Sequence, residues 1–527
     1  MKKLNYLFLA LALALSFSTS LRAQEGPYLE ALYDVEVTSN QMYGVNATIL
    51  PIIAQVSNEA LPRPLLADVY EPVGDDDNGP RPVMFVFHTG NFLPFPDNNG
   101  TGGTKTDSTV VEVCNRLAQR GYVAVSVDYR LGWNPIDPSQ DIRKFFLINA
   151  AYRGVQDART AVRWMRKLAV DEGNPYNVNV DAMGYWGIGT GGYIAAAAGT
   201  IDEYMEIVIP KFLIDLDGPG PAPTVPMVVE AINGNIFGTS VGIVPAGFPV
   251  FPEGDTLCYP NHVTYDDGST ISSEVSLVVN NGGALGDISW IDENTPPWVS
   301  FHVPTDPFAP YTTGTLTVPG TGDPGDPSDD FAVVEVSGSY DIQAEMNALG
   351  NNDIFLDIPA GLTDYSEVAD DRNDGHEGLF PFPQADPQSS APWDFYAADN
   401  PNVPPNPPPN PVLARTYWDT IMAYTGVRAC VALNLGCTFQ DVKTLNPAQV
   451  DLKLAPNPAS DYVAINTDAA YPIRNIQVFD MSGRMVDSYF NLNSNSFTLN
   501  RNALSSGMYF LRLRFDDGIA VQKLVFE

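Results

Sequence analysis

VNVDAMGYWGIGTGGYIAAAAGT, residues 178–200, decides the fold. An apolar run ending at Trp186 reads as a short buried strand. Glycines crowd the turn at Gly187, Gly189, Gly191 and Gly192, and Tyr193–Ala198 restarts as a small-residue helix. Two devices share this strand, sharp turn and helix. One is the nucleophile elbow, G-x-S-x-G, which lifts a serine above a parallel sheet. The other is the dinucleotide fingerprint, G-x-G-x-x-G. As an elbow the frame is Gly187-Ile188-Gly189-Thr190-Gly191, and Gly189 stands where the serine belongs. As a fingerprint the frame is Gly187, Gly189 and Gly192, with Asp215 at the distance of a ribose-binding acid. The turn alone does not choose.

The flanking sequence does. Leu65–Tyr70 alternates as a strand, and Val83–Phe87 is a continuous apolar run, as in a strand buried on both faces. Ser108–Arg120 has helical spacing and is closed by Gly121. Tyr122–Val127 is a further strand, and a long helix is expected from about Ala150 to Leu168. Beyond the glycine turn, Val275–Val279 and Val299–Val303 read as strands, Ile342–Ala348 as a helix and Ile354–Leu356 as a last short strand. Strands alternating with helices predict a mostly parallel sheet with helices on both faces. A dinucleotide unit usually opens its domain with the glycine loop, whereas several strands precede this one.

Composition narrows the partners. The 527 residues carry 28 Lys+Arg against 63 Asp+Glu, a formal net charge of -35. Nucleic acid and anionic membrane surfaces are poor partners for such a chain. Lys2 and Lys3, the apolar Leu7–Leu15 and Leu21-Arg22-Ala23 read as a signal peptide, and no later segment is apolar enough to span a bilayer. Cys430 and Cys437 are expected to form a small loop disulfide, and Cys114 to be a buried thiol. No Cys/His cluster has zinc spacing, and the acidic loops 75–78 and 323–330 lack the ligand spacing of a calcium loop. No cofactor or metal is expected. Gly218–Pro260 is too long for an ordinary loop and reads as an insertion near the site, a lid or a pocket wall. Asn400–Pro411 is a stiff proline-rich spacer, and Arg415–Tyr424 a helix.

HTGNF after a strand, GYVAVSVDYRLG, QDARTAVRWMR, the glycine elbow, PPWVSFHVPTDPFAPY and DGHEG occur in that order. In this order and spacing the chain resembles the esterase/lipase-like α/β-hydrolase family over roughly residues 60–428. The resemblance implies a triad acid at Asp306, after a late strand, and a triad base at His376, after the last strand. It implies an oxyanion loop at His88-Thr89-Gly90, where the family's usual form is His-Gly-Gly. The amides of Gly90 or Asn91, and of Thr190, would face the oxyanion. The departure is Gly189, which offers no oxygen nucleophile. Thr190 is the nearest hydroxyl, one residue past the apex. His302, inside a strand, reads as packed; Asp128, Arg130 and Asp157 read as structural contacts.

After about residue 451 short alternating strands and Asn/Ser/Gly turns replace helices. LAPNPA, IQVFDMSGRMV and SSGMYFLRL look like the sorting domain of the type IX secretion system of Bacteroidetes, which implies export and a partner in that machinery. The expected organisation is a signal peptide over 1–23, an α/β-hydrolase domain over 24–428, a linker over 429–450 and a small sorting β-sandwich over 451–527. Two functions follow. One is a secreted pseudo-esterase that binds a small-molecule or polymer ester-like ligand without acylation. The other is a working ester hydrolase in which Thr190, or a water activated by His376 and Asp306, attacks.

Overall fold

The computed structural model describes residues 26–75, 79–95, 98, 102–215, 224–247, 253–318, 330–358, 364–383, 390–395, 411–437, 445–481, 485–489, 492–502, 504–515 and 518–527. The expected signal peptide, the loop at 76–78, the acidic stretch 323–329 and the spacer at 400–410 lie outside the described residues.

Eight strands form the central sheet: β1 (Asp34–Thr48), β2 (Leu61–Val73), β3 (Arg81–Phe87), β4 (Val123–Val127), β5 (Val178–Ile188), β6 (Leu277–Asn281), β7 (Trp298–His302) and β8 (Leu379–Pro381). Their spatial order is β1-β2-β4-β3-β5-β6-β7-β8. β1 and β2 pair antiparallel, as do β2 and β4; every later pairing is parallel. Interior strands are buried and mostly apolar because helices cover both faces: all five residues of β4 are buried, and so is β3 after Arg81. Helix α1 (Ser108–Ala118) turns Val110, Val113, Cys114 and Leu117 inward at spacings of three and four. Helix α2 (Gln140–Asp171) is much longer than the expected span and is capped by Ser139, whose side chain accepts from the Ile142 amide. Helix α3 (Thr190–Thr200) follows β5, α4 (Ser339–Leu349) lies between β7 and β8, and α5 (Pro411–Ala432) follows β8. With this topology the chain has the α/β-hydrolase fold, and ligands of such open parallel sheets collect at the C-terminal strand ends.

Several expectations are corrected. Ile354–Leu356 is not a strand but part of a short 3-10 helix, Asp353–Asp357. The last strand is β8, three residues long and ending in proline at the sheet edge, the position where a ladder tolerates proline. The long edge strand β1 carries no clear alternation and left no sequence signal. The segment expected to be a linker from 429 opens with the last turn of α5, which the Cys430–Cys437 disulfide ties to the following turn. Cys114 is a buried free thiol.

The insertion forms a wall rather than a detached flap, within its described parts. Gln156 of α2 donates to the carbonyls of Asn233 and Asn235 at 2.9 and 2.8 Å, and Tyr152 to Gly234 at 2.9 Å. Covered in this way, α2 buries polar residues that an exposed helix would solvate. Arg130 and Asp157 form a closed ion pair at 2.9 Å, the structural contact expected of them.

The C-terminal residues form two antiparallel sheets of three and four strands. Val463, Ile465 and Leu499 from one sheet and Ile476, Leu511 and Leu513 from the other share one apolar core, as in a β-sandwich.

Candidate functional site

The site begins where β5 gives way to α3. Gly189 is the single residue between them, at φ +52 and ψ −114. Residues with a Cβ are strained there, and glycine is not. Its amide donates to the Asn281 carbonyl at the end of β6, 2.8 Å away. Trp186 Nε1 donates to Asn281 Oδ1 at 2.8 Å, so Asn281 pins both sides of the turn. A Cβ on Gly191 would meet the Phe87 carbonyl oxygen at 2.2 Å, so the helix can approach β3 only through glycine.

What stands beside Gly189 is the central observation. A Cβ built on it would lie 2.4 Å from Thr89 Oγ1 and 3.1 Å from Thr89 Cβ. The side chain of Thr89 occupies the space that any side chain at 189 would need.

Thr190 is held by the same loop. Its hydroxyl accepts the Asn91 amide at 2.8 Å, which also removes Asn91 as an oxyanion donor. Asn91 is fixed further by its carbonyl, which accepts Trp133 Nε1 at 2.6 Å. The amides of Gly90 and Thr190 have no acceptor among the described residues. His88 braces the loop: Nδ1 lies 2.5 Å from the Thr89 carbonyl oxygen, and the ring stacks on Tyr129 at 4.2 Å. Burial lowers its pKa below the usual imidazole value.

Asp306 follows β7 and lines the same cavity as Gly189 and Thr190. Its Oδ1 accepts the amides of Phe308 and Ala309 at 2.8 and 3.1 Å. Burial outweighs these bonds and pushes the carboxyl up to about 7. The nearest imidazole is His302, whose Nε2 is 3.9 Å from Asp306 Oδ2. That ring is committed elsewhere: Nδ1 is 2.8 Å from Ser339 Oγ and Nε2 3.0 Å from the Ala309 carbonyl oxygen. Burial brings its pKa down to about 4.

His376 is not brought to this group. It precedes β8 rather than following it, at the strand's N-terminal end, whereas the elbow is at the C-terminal end of β5. Its ring sits edge-on to Tyr340 at 4.9 Å, and it does not line the cavity. The expectation placed it after the last strand because 354–356 was read as that strand. The four histidines of the chain are 88, 262, 302 and 376, so the sequence after β8 contains none. His262 Nε2 is engaged at 3.0 Å with the Tyr43 carbonyl oxygen. Among the described residues no cluster of three or more His, Cys, Asp or Glu side chains could hold a metal ion.

The cavity measures about 620 Å³ and runs from the elbow between α2, α3 and the insertion. Sequence reasoning missed Asn281 and the place of Thr89, because neither lies near Gly189 along the chain.

This strand order and elbow define the class: an α/β-hydrolase-fold protein. Within it the chain is esterase-like, since residues 67–217 match the BD-FAE family model, and residues 453–527 match the secretion system C-terminal sorting domain. The sorting domain makes the protein a type IX export substrate, secreted or held at the cell surface. None of the curated proteins matches the chain. Among solved structures, a propionate-bound esterase from Thermogutta terrifontis is 17% identical over 54% of this chain and 76% of that one, with a TM-score of 0.26. A bifunctional GH43-CE protein from Bacteroides eggerthii is 15% identical over 54% and 29%, with a TM-score of 0.27. A truncated carbohydrate esterase from gut microbiota is 15% identical over 55% and 82%, also with a TM-score of 0.27. Among the described residues no helix is long and apolar enough to cross a membrane.

Proposed function

We propose that the protein is an exported pseudo-esterase: it holds a small-molecule or polymer ester-like ligand at the elbow and forms no acyl-enzyme. One observation carries this reading. Residue 189 has no side chain, and Thr89 fills the space of one. Acyl transfer needs an oxygen nucleophile whose proton an adjacent base can take. The Thr190 hydroxyl already accepts the Asn91 amide, and no histidine lines the cavity. The free amides of Gly90 and Thr190 suit the holding of a carbonyl oxygen without any covalent step.

The test is turnover of p-nitrophenyl esters of several chain lengths by the mature protein, together with labelling by a fluorophosphonate. No covalent label and no release above the buffer rate are expected. Esterase-like turnover overturns the reading. A second reading draws on Asp306, a carboxyl near neutrality on the cavity wall. It could serve as base to a water in a hydrolysis without an acyl burst. Slow turnover lost in Asp306→Asn supports that reading; loss in His376→Ala restores His376 to the mechanism.

A further inference from the structure

Charge is divided unevenly along the chain. Residues 451–527 hold seven Lys+Arg against eight Asp+Glu, so nearly all of the net charge of -35 lies before them. Two strands of the four-stranded sheet, Gly507–Phe515 and Gly518–Phe526, contain no acidic residue. Tyr509, Leu511, Leu513 and Phe515 are buried in the sandwich, so Phe510, Arg512 and Arg514 face outward. Across the pair, Phe510 is opposite Lys523, Arg512 opposite Val521 and Arg514 opposite Ile519. The outer face is therefore basic and apolar, with Phe510 38% and Val521 45% exposed. On a chain that is otherwise acidic, such a face fits an acidic partner.

One end of that face already meets one. Arg514 forms an ion pair with Glu30, in the segment before β1. Asp34 and Glu36 follow it closely and are exposed. The segment is fixed on the hydrolase-fold domain: the Tyr28 amide donates to the Arg120 carbonyl at 2.6 Å, and Arg120 Nε to the Leu29 carbonyl at 3.2 Å. Leu29 also packs with Cys430 and Cys437, the two ends of the disulfide loop. From Cys437 the chain runs to Leu445, whose amide donates to the Ile519 carbonyl at 2.7 Å, beside Arg514. Eight residue steps part Cys437 from Leu445, which limits their separation to about 29 Å. A tether that short holds its two ends at an effective concentration of about millimolar. A pair too weak to join separate molecules is then enough to seat the tail.

We propose that the outer face of the four-stranded sorting sheet docks, within one molecule, on the acidic segment 26–36 of the hydrolase-fold domain. The Glu30–Arg514 pair is its anchor and the Cys430–Cys437 loop its foot. The three-stranded sheet then faces away from the hydrolase-fold domain.

The experiment is hydrogen–deuterium exchange on the mature full-length protein, read peptide by peptide in about 0.05 M and about 0.5 M NaCl. Arg514→Glu is expected to speed exchange over residues 26–33 about two- to fivefold, the factor that one partly exposed ion pair is worth. Glu30→Lys is expected to do the same over residues 512–519. Combining the two substitutions should restore both rates, and the higher salt should speed both in the natural protein. Arg514→Gln and Glu30→Gln serve where a reversed charge unfolds its own domain, and each is again read in the other domain. Unchanged exchange over 26–33 in an Arg514 variant with a folded tail overturns the proposal, as does a double variant no better protected than the single ones. Protection over 26–33 that rises between about 2 and about 50 µM protein would place the face between two copies, and would overturn it as well.

Discussion

Gly189→Ser is the sharpest test of how the elbow is built. The substitution meets two costs. The backbone at φ +52 and ψ −114 strains any residue with a Cβ, by about 1–3 kcal/mol. The new Cβ also falls 2.4 Å from Thr89 Oγ1, an overpacking worth about 1–3 kcal/mol more. The sum is about 2–6 kcal/mol. In a domain of this size each kcal/mol lowers Tm by about 2 °C, so a fall of about 4–12 °C is expected. Adding Thr89→Gly removes the second cost and leaves the first, so the double variant should recover about half of the loss. A thermal-shift cycle over wild type, both single variants and the double variant should give a coupling of about 1–3 kcal/mol. Independent, additive effects would refute the claim that Thr89 occupies the nucleophile's space. Neither Gly189→Ser variant should hydrolyse p-nitrophenyl esters, because the new hydroxyl would have no imidazole beside it. A large gain in rate would refute that part of the argument.

Further predictions concern the shell around the site. The Asp306 carboxyl titrates near 7 in the folded protein, above its usual 3.8, so the folded state keeps a proton that the unfolded chain has lost. Stability contributed here therefore falls as pH rises from about 4 to about 7. Asp306→Asn should flatten that slope by at most about 1.4 kcal/mol per pH unit, read from urea midpoints at several pH values; an unchanged slope counts against it. Asp157→Ala leaves Arg130 buried without its partner and should cost about 3–5 kcal/mol; a loss under about 1 kcal/mol would show that the pair is not closed. Gln156→Ala takes donors from the Asn233 and Asn235 carbonyls, and faster amide exchange over residues 230–240 should report the loosened wall. Removing residues 445–527 should stop export and leave the hydrolase-fold domain folded in the periplasm; export without the tail would contradict its role.

Much of the sheet was legible because its interior strands are local signals. VMFVF is a continuous apolar run, YVAVSV and VSFHV are mostly apolar, and a strand covered on both faces makes such runs useful. The glycine turn was legible for the same reason. Glycines at 187, 189 and 191 crowd one sharp turn, and the lack of a side chain at 189 is visible in the sequence. β8 was not legible: three residues with a terminal proline show no period, and its stability comes from Ser300, Phe301 and His302 on the neighbouring strand. Missing it put His376 on the wrong side of the last strand. The same limit hid Thr89. It lies 100 positions before Gly189, and only the parallel pairing of β3 with β5 brings the ends of those strands together. Local sterics write themselves into neighbouring residues, so the sequence alone determined the interior strands, the glycine turn and the lack of a side chain at 189. Which side chain packs against Gly189, and which histidines stay away from it, depended on contacts between distant segments. Those were decided only when the strands had packed.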